Sequence, residues 1–240
     1  MRLSSYKKQM WILIGFLAVL ILSPAQLSAW SYSAQKIQPA ALADVSTNAQ
    51  TIGLTEKADL NGDGKPECLA ITNKALRITD CKETIFWTSP QSWQVSEAQV
   101  GDLNRDGVPE ADLLVWRPFQ PWPIDKFVPS GGRISNFHNQ AGMSCHVILI
   151  GWARDGYNEL WAGSALIRPV EQLHAVDLDG DGWQELAALE GNYDADQNGG
   201  DLTVWKWDGF GFVLSDEIKQ NFTQMHIIKT DNQYRILVQK

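Results

Sequence analysis

The sequence predicts an all-β fold: a β-propeller-like repeat of four-stranded antiparallel blades, about three to four in number, with closure of the ring left open. Three observations carry this. A nine-residue acidic segment punctuated by glycine occurs three times. Each copy is bracketed by short runs of β-forming residues. No stretch beyond residue 29 keeps a helical apolar period over a dozen positions.

The repeat is legible position by position. Asp59-Leu60-Asn61-Gly62-Asp63-Gly64-Lys65-Pro66-Glu67 returns as Asp102-Leu103-Asn104-Arg105-Asp106-Gly107-Val108-Pro109-Glu110. It returns again as Asp177-Leu178-Asp179-Gly180-Asp181-Gly182-Trp183-Gln184-Glu185. The copies begin 43 and then 75 residues apart, so the second unit carries an insertion, placed at about 117–144, where Pro, Gly and Asn are frequent.

Short runs rich in Val, Ile, Trp and Thr, separated by turn residues, read as antiparallel strands. They precede the loops at 55–58, 94–100 and 173–176 and follow them at 68–72, 111–116 and 186–189. Two more complete each unit: 75–79 with 84–88, 146–152 with 159–165, and 202–207 with 212–215. Residues 225–228 and 234–238 resemble the first two strands of a fourth unit, whose loop has decayed to Lys229-Thr230-Asp231-Asn232-Gln233. Of the eleven tryptophans, Trp87, Trp116, Trp152, Trp161, Trp205 and Trp207 fall in strands and are assigned to packing between sheets, whereas Trp122 and Trp183 fall in loops.

Arg2, Lys7 and Lys8 precede an apolar run at 10–22, with small residues at Ser23-Pro24-Ala25 and Leu27-Ser28-Ala29. Such a run is short for a membrane-spanning helix and suits a signal-peptide core. Residues 1–29 are therefore a signal peptide or an uncleaved N-terminal anchor, and either takes the rest of the chain out of the cytoplasm. Residues 30–52, rich in Ala, Gln and Ser, read as a linker, and 53–240 as the repeat domain. Loss of 1–29 removes three basic and no acidic side chains, moving the net charge from −8 to −11. This balance argues against a nucleic-acid partner. With three cysteines in an exported chain, Cys68 and Cys81 flank a hairpin turning at Asn73-Lys74 and form a diagonal pair at the limit of disulfide reach; Cys145 has no evident partner.

The loops have the chemistry of a hard-cation site. Calcium takes six to eight oxygens at about 2.3–2.6 Å. Positions one, three and five supply side-chain oxygens: Asp59, Asn61 and Asp63; Asp102, Asn104 and Asp106; Asp177, Asp179 and Asp181. Position six is glycine throughout, suited to a left-handed turn. Position seven, which is Lys65, Val108 or Trp183, offers its carbonyl, and position nine closes the site with Glu67, Glu110 or Glu185. An EF-hand would place its carboxylate at position twelve between helices. Position twelve here is Ala70, Leu113 or Ala188, and the flanks are β-like.

A nine-residue loop of this kind running straight into an apolar strand resembles the FG-GAP/VCBS repeat family, which includes the integrin α-subunit propellers. The resemblance covers 53 to about 216, with a weaker echo to the C-terminus. It implies propeller blades in which the loop joins the first two strands, and calcium, about three ions, held through positions one, three, five, seven and nine. Integrin loops usually end in Asp where this chain has Glu, and integrin propellers have more blades than this length allows.

Other constellations are weaker. Asp194-Ala195-Asp196-Gln197-Asn198-Gly199-Gly200-Asp201 begins like a fourth loop but has Leu202 at position nine, so that Asp201 would have to close it. Cys145 and His146 are adjacent and point to opposite faces of a strand, leaving His138 as the imidazole for a thiol nucleophile. The expectation is accordingly a non-catalytic, extracytoplasmic protein that binds a protein or glycan at its surface, touching a membrane only through an uncleaved N-terminal segment. The alternatives are a lectin-like propeller using Trp122 or Trp183, and a hydrolase with ancillary calcium.

Overall fold

Two-residue turns divide the chain. Ala34 and Gln35, Asn73 and Lys74, and Arg154 and Asp155 have φ values between 49° and 65°, the paired left-handed conformation whose twist matches the strands of a tight hairpin. The computed structural model describes residues 27–42, 50–54, 56–120, 137–193, 199–230 and 233–240. In chain order the strands are β1 (Leu27–Ser33), β2 (Lys36–Ala40), β3 (Gln50–Ile52), β4 (Lys57–Ala58), β5 (Glu67–Thr72), β6 (Ala75–Thr79) and β7 (Ile85–Thr88). They continue as β8 (Gln94–Gly101), β9 (Glu110–Pro118), β10 (Met143–Ala153), β11 (Gly156–Ala162), β12 (Val170–Val176) and β13 (Glu185–Glu190). The last are β14 (Gly200–Trp207), β15 (Phe212–Phe222), β16 (Gln224–Thr230) and β17 (Gln233–Gln239).

These strands form four antiparallel sheets arranged in a ring, as in a four-bladed propeller. The first three have the orders β4-β5-β6-β7, β8-β9-β10-β11 and β12-β13-β14-β15, and the fourth has the order β2-β1-β17-β16-β3. The strands that meet across neighbouring sheets on the inner side are β4, β8, β12 and β16: β8 packs on β4 and β12, and β12 on β16. Strand alternation splits the core between seams. Ala111, Leu113 and Val115 face the first sheet with Leu60, Leu76 and Ile78, while Leu114 meets Leu173 and Leu186 of the third. Phe222, Ile227 and Ile236 fill the seam between third and fourth sheets with Leu189 and Val204.

Side chains on the inner strands stitch one blade to the next. Glu97 Oε2 accepts the Leu173 N–H at 3.0 Å, and Gln172 Oε1 accepts the Met225 N–H at 2.7 Å. Both acceptors stand five residues before a loop or its decayed equivalent, each beside a register shift in its strand, the kind of bulge that re-aims a side chain.

The stretch 30–52 is not simply a linker. It carries most of β1, all of β2 and all of β3, and β1 pairs with β17 from Leu27↔Gln239 to Trp30↔Ile236. Its inward residues Tyr32 and Ile37 are buried while the polar residues between them face out, which is why its composition looked unstructured. Leu27–Ala29, at the end of the segment read as a signal peptide or anchor, lie within β1, and Ala29 is buried against Ile228 and Leu237; residues 1–26 lie outside the described residues. N- and C-terminal strands thus share the fourth sheet, and 225–228 and 234–238 are the strands β16 and β17. The insertion is entered by regular structure from both sides, since β9 runs to Pro118 and β10 begins at Met143. Thr55, the insertion residues 121–136 with Trp122, residues 194–198 and residues 231–232 lie outside the described residues. Cys68 and Cys81 are joined as a disulfide, with Cα atoms 4.8 Å apart.

Candidate metal centre

Each loop is built by its own acidic side chains. The position-one aspartate takes two or three backbone N–H groups: Gly62, Asp63 and Gly64 donate to Asp59 at 2.7, 3.2 and 2.9 Å, Asp106 and Gly107 to Asp102 at 3.1 Å each, and Gly180 and Gly182 to Asp177 at 2.8 and 3.1 Å. The position-three oxygen takes the N–H of position five, and position five takes that of position seven at 2.8 Å in every copy. The glycines at position six have φ between 83° and 91°, as the turn requires. The closing glutamate accepts the N–H of position two: Leu60 to Glu67 at 2.8 Å, Leu103 to Glu110 at 3.0 Å, Leu178 to Glu185 at 3.0 Å. The leucine at that position is buried in all three loops. It plugs the loop into the core, a role the sequence reading did not assign although the residue recurs in each copy.

The loops differ in what their carboxylates face. In the second, one ligand oxygen each from Asp102, Asp106 and Glu110 lies within 4.8 Å of the others. Glu110 is fully buried, its Oε1 accepts from Leu103 and Asn104, and its Oε2 has no partner. Burial, with the charges of Asp102 and Asp106, pushes the Glu110 carboxyl up to about 8. A buried carboxylate with one unpartnered oxygen, gathered with two further carboxylates, is a donor set that fits a hard divalent cation.

In the third loop Asp177, Asp179 and Glu185 are gathered equally closely, but an ammonium stands among the acids. Lys206 of β14 places Nζ 2.9 Å from Asp179, 3.4 Å from Glu185 and 3.9 Å from Asp181. Arg105, from the second loop, adds a contact to Glu185 at 3.4 Å. Burial opposes the Lys206 charge, but its hydrogen bond to Asp179 and the Glu185 carboxylate outweigh it, and its pKa lies above the usual value. Burial nonetheless lifts Glu185 to about 7. With the ammonium there, an external cation would have to displace Lys206 to reach this set.

In the first loop Asp59, Asp63 and Glu67 are not drawn together in the same way. Asn61 turns its Nδ2 onto Glu67 Oε1 at 2.8 Å, and Tyr157 of the neighbouring sheet lies close enough for the Glu67 charge to raise its pKa alongside burial. Rotation of the Asn61 amide would present oxygen instead of nitrogen, so this set fits a cation only after a side-chain change.

The remaining candidates resolve otherwise. Asp201 lies in β14 and pairs with Arg168 at 2.7 Å. Cys145 is buried with Sγ 3.9 Å from the Val170 carbonyl, and burial pushes its thiol up to about 12. His138 packs on Phe119, with ring centroids 5.1 Å apart. His146 instead meets Ser144, its Nε2 2.7 Å from Ser144 Oγ and its Nδ1 2.9 Å from the Gly163 carbonyl. Both residues are buried, and with Nδ1 donating to the carbonyl, Nε2 accepts the serine hydroxyl in an internally satisfied pair. Trp183 is exposed at the rim of the third loop. Between the second and third sheets an apolar groove of about 650 Å³ is lined by Trp161, Trp205, Phe210 and Phe212 above Arg168. No protein-family model matches this chain, and no curated protein is similar to it.

Proposed function

We propose that this is an exported, calcium-stabilised β-propeller of FG-GAP/VCBS type that serves as a non-catalytic binding or scaffold protein. The observation that carries the reading is the second loop, where the buried Glu110, whose Oε2 has no partner, offers a carboxylate oxygen within 4.8 Å of oxygens of Asp102 and Asp106. Calcium is the cation of choice because the loop offers oxygens only, from Asp102, Asn104, Asp106, Glu110 and the Val108 carbonyl, on a flexible backbone; magnesium demands a tighter octahedron. Ions occupy the second loop first and the first loop once Asn61 has rotated, while at the third loop an ion competes with Lys206. Export rests on the basic and apolar N-terminal segment, and cleavage after Ala25 would leave β1 whole. Among the described residues no helix is long and apolar enough to cross a membrane.

The test is calorimetric titration of calcium into the metal-free chain together with melting in chelator. Binding and a higher melting temperature in calcium than in magnesium support the reading. A chain that binds nothing at millimolar calcium and melts indifferently to chelator would overturn it.

A further inference from the structure

Strand β9 begins Glu110-Ala111-Asp112, and the two-residue period of a strand puts Glu110 and Asp112 on one face. The residue two places after the closing glutamate is Leu69 in the first sheet and Ala187 in the third, both apolar. At this place the second sheet has a carboxylate, fully buried, with no partner for either Oδ1 or Oδ2. Its cross-strand neighbour Gln99 is also buried and has an unpartnered Nε2. Space for the carboxylate comes from Gly101: a Cβ there would lie 2.2 Å from Asp112 Oδ2 and 2.9 Å from Gln184 Oε1. Among the described residues no basic group pairs with Asp112.

Asp112 and Glu110 thus share one face of β9, with Gln184 Oε1, which also accepts the Asp102 N–H at 2.7 Å, next to Asp112 across Gly101 and the Gln99 amide, whose oxygen can be turned inward, opposite it, so that oxygens border an interior place. Two carboxylates with no countercharge cannot stay ionised in a dry interior, and a divalent cation supplies the countercharge that this set lacks. Asp112 is not drawn into the group formed by Asp102, Asp106 and Glu110, and it is fully buried where Asp106 is exposed, so the place it borders is distinct from the rim of the loop.

We propose that the second loop has an inner cation position, bounded by Asp112, Glu110 and Gln184, so that Glu110 is a wall shared by an outer and an inner ion of the calcium class. This rests on the calcium reading of the loops. The carboxylate of Asp112 is a ligand that the nine-residue motif does not contain.

Calcium titrations of the full chain and two variants separate the inner position from the loop. Asp106→Ala, on the exposed rim, removes the outer ion. Asp112→Asn is expected to bind one calcium fewer than the parent, or to weaken one ion by about tenfold or more, while the rim ion keeps its affinity. Gly101→Ala, whose methyl displaces Asp112, should reproduce that loss should the asparagine variant prove unfolded by circular dichroism. If Asp106→Ala loses an ion while Asp112→Asn and Gly101→Ala keep the parent's count and affinities, Asp112 holds only a proton or a water and the inner position is overturned. If the parent binds no calcium, the reading of the loops falls and the inner position falls with it.

Discussion

The second and third loops share a motif and a backbone and differ in one residue across the hairpin. Glu185 lies opposite Lys206 on β14, since Leu186 pairs with Trp205. Glu110 lies opposite Gly151 on β10, since Ala111 pairs with Ile150. Lysine fills the third cage with its own cation, and glycine leaves the second without one. On the proposed reading the motif shapes the loop, and the third strand of the blade decides whether the charge that balances it is built in or has to be bound. The first loop is intermediate: Glu67 stands opposite Asp80, since Cys68 pairs with Thr79, and its oxygens are occupied by Asn61.

The largest effect that sharpens this contrast comes from Lys206→Ala. It strands Asp179, Asp181 and Glu185 together, and breaking a largely buried ion pair costs on the order of 3 kcal/mol. Urea unfolding in chelator should show that loss, and calcium should restore it, because the third loop then takes an ion it previously excluded. An unchanged unfolding midpoint in chelator would mean that Lys206 is not the countercharge. The reciprocal change is Gly151→Lys, combined with Leu160→Ala because Leu160 Cδ1 lies 2.4 Å from the place of a Cβ at Gly151. Transplanting the ammonium should abolish calcium uptake at the second loop. It should also remove the linkage stabilisation there, about 2.7 kcal/mol at a hundredfold excess over the dissociation constant, as read from the melting shift on adding calcium.

Acid sensitivity, compared between parent and variant, probes groups outside the loops. Burial holds His146 and His174 down to about 4 from an ordinary 6.5, so the unfolded chain binds more protons than the folded one between these values. Stability from these neutral imidazoles is complete above about 6.5 and is lost as pH falls toward 4. Buried Glu185, raised to about 7, acts in the opposite sense but alike in parent and variant, so at saturating calcium the melting temperature of a His146→Gln variant should rise relative to the parent's as pH falls across that window. The smallest effect is that of Arg105→Gly. Arg105 holds φ at 63° where the other loops have glycine, so the substitution relieves about 1 kcal/mol of backbone strain but gives up the contact with Glu185. The two nearly cancel, and a net change within about 1 kcal/mol in denaturant unfolding is expected; a larger loss would make Arg105, with Lys206, a principal countercharge of the third loop.

What the sequence disclosed was local. Alternating apolar residues, the Asn73-Lys74 turn and the position-specific acids gave the strands and loops, because strand period, turn chemistry and coordination each act over a few residues. The fourth sheet was half legible. Met225 and Tyr234 announce β16 and β17, but their partner β1 comes from the other end of the chain, and such pairing leaves no local trace. Lys206 was hidden for the same reason, since nothing near it in sequence is acidic enough to reveal that a hairpin brings it to Asp179. Asp112 could have been noticed, as the one charge in the apolar run from Ala111 to Trp116.

The claim that the second loop takes an external ion while the third carries its own is tested most directly by diffraction from crystals grown in calcium, using the anomalous signal of the ion. The account predicts an anomalous peak among Asp102, Asp106 and Glu110, and none among Asp177, Asp179 and Glu185, where Lys206 Nζ remains. A peak in the third loop with Lys206 swung away, or a second loop without one, would contradict it.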